Sequence, residues 1–159
     1  MQALILYRSH YGTTKTAAES IARELHARGI DAYVADLRRR LPRLDKFDYA
    51  FVGAPTRMAR VTRAAYRALK RLSRKGWGAK PIFIFNTFGP IPADPGKREK
   101  GRKWLYPGAA GLMKTRAEEL GLNVAAEPMR LEVKELKGPL KAGEDEKIGP
   151  YVEKFVRNL

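Results

Sequence analysis

"ALILYRSHYGTTKTAAESIARELHARG", residues 3 to 29, decides the fold. Residues 2 to 8 read as a buried strand, whose apolar run, Ala3 to Tyr7, is ended by Arg8 and is far too short for a membrane span. From residue 13 to 28 the period changes, with Ala18, Ile21, Ala22 and Leu25 on one helical face and Gly29 as the stop. Between strand and helix stand Ser9, His10, Tyr11, Gly12, Thr13 and Thr14, a tight loop crowded with hydroxyls. Such a loop caps a helix, and it is also a seat for an anion, because hydroxyls and backbone amides converge on the helix's positive end. It is not a Walker loop, lacking the glycine before lysine, and it is not a GxGxxG turn.

Outward from this unit, strand and helix keep alternating. "IDAYVADL" (30–37) reads as a second strand, "RRRLPRLDKF" (38–47) as a polar connection, and the uniformly apolar "YAFVGA" (49–54) as a central strand covered on both faces. A helix is expected from Arg57 to Lys75, with Val61, Ala65, Ala68 and Leu72 facing the core. Opposite them Arg60, Arg63, Arg67, Lys70 or Arg71, and Arg74 form a basic stripe, read as a solvated face because no stacking aromatics interleave with the charges. "KPIFIFNTFG" (80–89) is a buried strand, and residues 90–107 read as a long loop without a sustained period. Helix resumes near Gly108, carrying Leu112, Met113, Ala117 and Leu120 up to Gly121. Residues 123–133 are a fifth strand interrupted or edged by Pro128, and 134–147 a polar linker. A last helix begins around Pro150, with Ile148, Val152, Phe155, Val156 and Leu159 on its apolar face.

Right-handed crossovers turn this order into an α/β fold of one domain, residues 1–159: three layers around a doubly wound, five-stranded parallel sheet of order 2-1-3-4-5. Its crevice lies at the carboxyl ends of strands one, three and four, where loops 9–14, 54–60 and 86–106 meet.

Composition narrows the chemistry. The 159 residues include no cysteine and only two histidines, which removes disulfides, thiol catalysis and iron–sulfur clusters and leaves no metal site to expect. No run approaches a signal sequence or a membrane span, so a cytoplasmic protein is expected. Scarce Asn and Gln with 31% charged residues point to a thermophilic source. The net charge of +15 attracts anionic partners without saying which. No paired carboxylates or nucleophile–base set is present, so no catalytic residue is assigned.

At the crevice, "GAPTR" (53–57) leaves its strand stiffly through Pro55 and stands Thr56 and Arg57 over the opening. "NTFG" (86–89) offers an amide, a hydroxyl, a ring and a glycine, which suit a polar heterocycle, although Phe88 serves equally as core. "SHYGTT" (9–14) resembles the phosphate-binding loop of the flavodoxin-like superfamily, roughly S/T-x-S/T/Y-G-x-T, and "GAPTR" is similar to the G-x-P-T-R loop of its FMN-dependent quinone-reductase branch. The resemblance runs along nearly the whole chain. It implies non-covalent FMN, with Ser9, His10, Tyr11, Gly12, Thr13 and Thr14 on the phosphate. Pro55, Thr56, Arg57 and Met58 would line the isoalloxazine, and Asn86, Thr87, Phe88 and Gly89 would close its other side. Two residues depart from the pattern: Met58 stands where the family often has an aromatic ring, and Ala59 replaces its usual glycine.

The function so implied is an electron carrier or an NAD(P)H-dependent quinone or flavin reductase. Its partner is an acidic redox protein, or a small quinone with NAD(P)H. Arg57 beside the ring implies a comparatively high second reduction potential. The segment 97–103, "KREKGRK", reads as a contact for an acidic protein, a contact for nicotinamide dinucleotide phosphates, or a solvated tip. A rival expectation keeps the fold without flavin, as a binding or regulatory module whose basic face meets nucleic acid or an acidic protein.

Overall fold

Side chains alternate along the central strands, so each strand feeds two cores, and helices must cover both. A computed structural model describes residues 1–57 and 60–159. In chain order it contains β1 (Gln2–Tyr7), α1 (Thr13–Ala27), β2 (Asp31–Asp36), β3 (Tyr49–Pro55), α2 (Arg63–Arg74) and β4 (Pro81–Phe88). There follow α3 (Pro95–Lys103), α4 (Ala109–Glu119), β5 (Asn123–Val124), β6 (Met129–Glu132) and α5 (Ile148–Arg157). The strands are parallel in the order β2-β1-β3-β4-β5, the expected order, and β6 also pairs with β4.

On one face Leu4, Leu6, Ala50, Val52, Ile82 and Ile84 pack with Ala65, Leu69 and Leu72 of α2 and Met113 and Ala117 of α4. On the other, Ile5, Phe51, Phe83 and Phe85 pack with Ala18, Ile21 and Leu25 of α1 and Val152 and Phe155 of α5. Each large side chain so buried contributes roughly 1.5–3 kcal/mol, enough for this double core to hold the strand ends in place.

Three expectations are corrected. The helix expected from Arg57 starts at Arg63, because Arg57 and Arg60 spend their backbone groups on each other (3.1 and 2.8 Å) and extended Thr62 caps the helix through its side chain. Residues 90–107 are not one long loop: Asp94 accepts from the Lys97 amide at 3.0 Å, Pro95 takes the first helical position, and α3 follows. Periodicity misses this helix because it buries no continuous apolar stripe. The segment 134–147 is more than a linker. It turns back on itself through Lys134 N to Pro139 O at 2.7 Å and packs Leu140 against the α1 side of the core.

The fifth strand is interrupted, not merely edged. Ile82 pairs with Val124 and Phe85 with Met129, so five steps along the last strands span three along β4. Pro128, without an N–H, sits in the excluded stretch before β6.

Candidate functional site

The carboxyl ends of β1, β3 and β4 open on a cavity of about 340 Å³. One end is polar and built by the first loop. Ser9 is buried as the chain leaves β1, and its Oγ accepts the Gly12 amide at 2.9 Å. The turn requires φ of 95° at Gly12, a left-handed conformation that glycine adopts without strain. Gly12 is the N-cap of α1 and has no side chain to cap it, and no acidic residue stands in the first turn. The uncapped amides of that turn therefore carry the helix's positive end. Ser9, having accepted one hydrogen bond, keeps its own proton to donate. The Thr13 side chain completes this end of the wall.

Three further threonines tie the loops together. Thr14 Oγ1 and Thr87 Oγ1 lie 2.8 Å apart, both buried, linking the start of α1 to β4. Thr56 Oγ1 accepts from Asn86 Nδ2 at 2.8 Å and from the Ala109 amide at 3.2 Å, so its hydroxyl proton remains for a group in the cavity. The Asn86 Oδ1 atom is buried without a hydrogen-bond partner among the described residues.

The mouth is basic. Arg57 Nη1 lies 2.9 Å from His10 Nδ1, and His10 stacks edge-on to Tyr11 at 4.5 Å between centroids. Partial desolvation, then the charges of Arg57 and Arg8, hold the His10 pKa below its ordinary 6.5. Neutral His10 thus presents Nδ1 as the acceptor for the guanidinium. The unfolded chain binds this proton at higher pH than the folded one, so the site loses stability as pH falls from about 6.5 toward the lowered value. NMR titration should place His10 below 6.5, and Arg57→Ala should raise it; an unchanged His10 in that variant would refute the guanidinium's part.

Of the residues singled out in the sequence, Ser9, His10, Tyr11, Thr13, Thr14, Pro55, Thr56, Arg57, Thr87, Phe88 and Gly89 line this one cavity. Phe88 does so while being buried, so its two readings are compatible. Gly12 is exposed beside the cavity without lining it, bonded to Ser9 through its amide, and buried Asn86 lies behind Thr56, acting through it. Met58 and Ala59 lie outside the described residues.

Trp104, Val133 and Leu136 also line the cavity and escaped the sequence reading. Trp104 directly follows α3, and Val133 extends the last strand through its amide to Phe88 O at 2.9 Å. Leu136 is 70% exposed yet reaches the wall from the turn around Gly138. That turn lies against the first loop, since a Cβ at Gly138 would stand 2.3 Å from Thr13 Oγ1. One of two leucines in an otherwise polar 14-residue stretch, it gave no other signal.

No helix among the described residues is long and apolar enough to cross a membrane. The model of a flavodoxin domain matches residues 4–118. No curated protein matches the chain. Among solved structures, a flavodoxin from the domain Archaea is similar with a TM-score of 0.76 and 18% identity, over 99% of this chain and 98% of that one. Oxidised flavodoxin 2 from Bacillus cereus gives 0.77 and 18% over 100% of both chains. A mutant of flavodoxin from Pseudomonas aeruginosa gives 0.74 and 20% over 100% of this chain and 99% of that one. At these identities the structures establish the fold, while the domain match, spanning well over half of the chain, establishes the family: this chain belongs to the flavodoxin domain family.

Proposed function

We propose that the cavity binds FMN non-covalently and that the chain serves as an electron carrier through it. The observation that carries this reading is the pairing of an uncapped helix start, flanked by Ser9 and Thr13, with an apolar slot walled by Pro55, Phe88, Trp104 and Leu136. A phosphate fits the first and a flat heterocycle the second. When bound, FMN supplies one- and two-electron transfer, and the protein sets the conditions for it.

Ser9, the first-turn amides of α1 and Thr13 hold the phosphate. Thr56, obliged to donate, offers a hydrogen bond to the heterocycle, while Trp104 and Leu136 exclude water. Met58 keeps its proposed place beside the ring on the resemblance of its loop alone. Arg57 places a positive charge at the mouth, which stabilises the added negative charge of a reduced cofactor. The acidic surroundings that would oppose it are missing from this loop.

A second reading, an NAD(P)H-dependent quinone or flavin reductase, is favoured by α3. Its Lys97, Arg98 and Lys100 precede Trp104 in the wall and suit dinucleotide phosphates.

Titrating the protein with FMN should give a yellow complex with quenched fluorescence, and spectroelectrochemistry should place its second reduction potential well above that of an acidic-sited flavin. Arg57→Ala should lower that potential by tens of millivolts. A protein that takes up no FMN at saturating concentration overturns the reading, and an unmoved potential overturns the role of Arg57.

A further inference from the structure

Among the surface helices, α2 differs in how its charges are arranged. Among the described residues α1 pairs Lys15 with Glu19 and Arg28 with Glu24, α4 pairs Lys114 with Glu118 and Arg116 with Glu119, and α5 pairs Arg157 with Glu153. On α2 stand Arg63, Arg67, Lys70, Arg71 and Arg74, with no acidic residue and no salt bridge among the described residues. The chain contains no Asp or Glu at all between Asp48 and Asp94. Arg63 with Arg67, Arg67 with Arg71, and Lys70 with Arg74 are like charges four residues apart, each destabilising a helix by roughly 0.2–0.5 kcal/mol. Solubility alone is served better by interspersed signs, as the other helices show.

This stripe also has a place. The chain enters α2 from Arg57, in the cavity wall, through Arg60, so the positive surface starts at the cavity mouth and extends along a helix of about 18 Å. The bulky ring on this helix, Tyr66, is half-buried and packs on the core, leaving no exposed platform for a base.

We propose that α2 and the adjoining lip of the cavity are the docking surface for the acidic face of a soluble electron-transfer protein. The proposal rests on the FMN reading for its purpose, since a carrier's partner must approach the opening of the cofactor cavity. Its physical content, a localised acidic-protein site, stands on the charge pattern. Steering by such a patch raises association rates and makes them sensitive to salt.

The test compares two triple charge reversals of equal net change. One is Arg63→Glu, Arg67→Glu and Lys70→Glu on α2. The other is Lys46→Glu, Lys154→Glu and Arg157→Glu at the amino end of the sheet, where Lys46 precedes β3 and Lys154 shares a groove with the first residues of β4 and β5. All six side chains are exposed, and circular dichroism checks that both variants fold. The probe is an acidic [2Fe–2S] ferredoxin, with binding measured by calorimetry at low and high ionic strength.

At low ionic strength the α2 variant should bind the ferredoxin about tenfold more weakly than the parent, and the other variant nearly as well as the parent. Equal weakening in both variants would reduce the effect to net charge and overturn the site. So would a parent that does not bind the ferredoxin. Tighter binding of short duplex DNA, lost in the α2 variant, would overturn it in favour of a nucleic-acid surface. FMN titration of the same three proteins is read separately, so failure of the cofactor reading shows as absent flavin binding whatever the ferredoxin does.

Discussion

FMN affinity is expected to fall about 100-fold to 10,000-fold in the double variant Ser9→Ala, Thr13→Val, while riboflavin affinity changes by less than about threefold. The asymmetry follows from the polar end of the cavity. Ser9 Oγ already accepts the Gly12 amide, so the hydrogen bond it gives an anion is a donated one. Hydrogen bonds to a charged group are each worth roughly 1.5–3 kcal/mol, or about tenfold to more than 100-fold, and a phosphate at an uncapped helix start receives them in a pre-formed frame. Riboflavin has the ring and not the phosphate, so it reports whether the apolar slot survived the substitutions. Fluorescence quenching titrations with both ligands measure this directly. A parallel loss for the two would mean that the first loop supports the fold of the cavity and not the phosphate; no loss for either would place the ligand elsewhere.

The order of strands was legible because each announces itself by composition. "LILY", "YAFVGA" and "PIFIF" are short apolar runs separated by helical periods, and a parallel sheet follows once crossovers are right-handed. The first loop was equally legible, since hydroxyls and a glycine between a strand and a helix limit what the backbone can do there. Illegible were the parts whose cause lies in tertiary contact. α3 has no continuous buried stripe, and its only local signal is Asp94 followed by Pro95. Leu136 reaches the cavity because Gly138 allows a turn to rest on Thr13, a contact between residues 125 positions apart. The indirect position of Asn86 has the same origin: its amide nitrogen meets Thr56 only when β3 and β4 lie side by side. Most residues of the cavity wall were legible, therefore, while the contacts of those that act through a neighbour were not.

Gly53→Ala is expected to destabilise the protein by about 3 kcal/mol or more, lowering its melting temperature by roughly 6–12 °C. Gly53 stands opposite Phe85 in the β3–β4 ladder, on the face that carries Tyr49 and Phe51. A Cβ there would lie 2.1–2.5 Å from three atoms of the Phe85 ring. The ring is fully buried and shares its core with Phe51 and Phe83, so it has no open side to move into. Two residues further along their strands stand Pro55 and Thr87, both in the cavity wall, so displacement of either strand also reaches the proposed FMN cavity. Adding Phe85→Leu removes the opposing ring edge. Although that change alone costs about 1–2 kcal/mol as a cavity, the double variant should be more stable than the sum of the singles by about 1–3 kcal/mol. Urea unfolding of the four proteins closes the cycle. Additive losses would show that Phe85 is not what excludes a side chain at position 53, and a Gly53→Ala loss below about 0.5 kcal/mol would show that the sheet yields there.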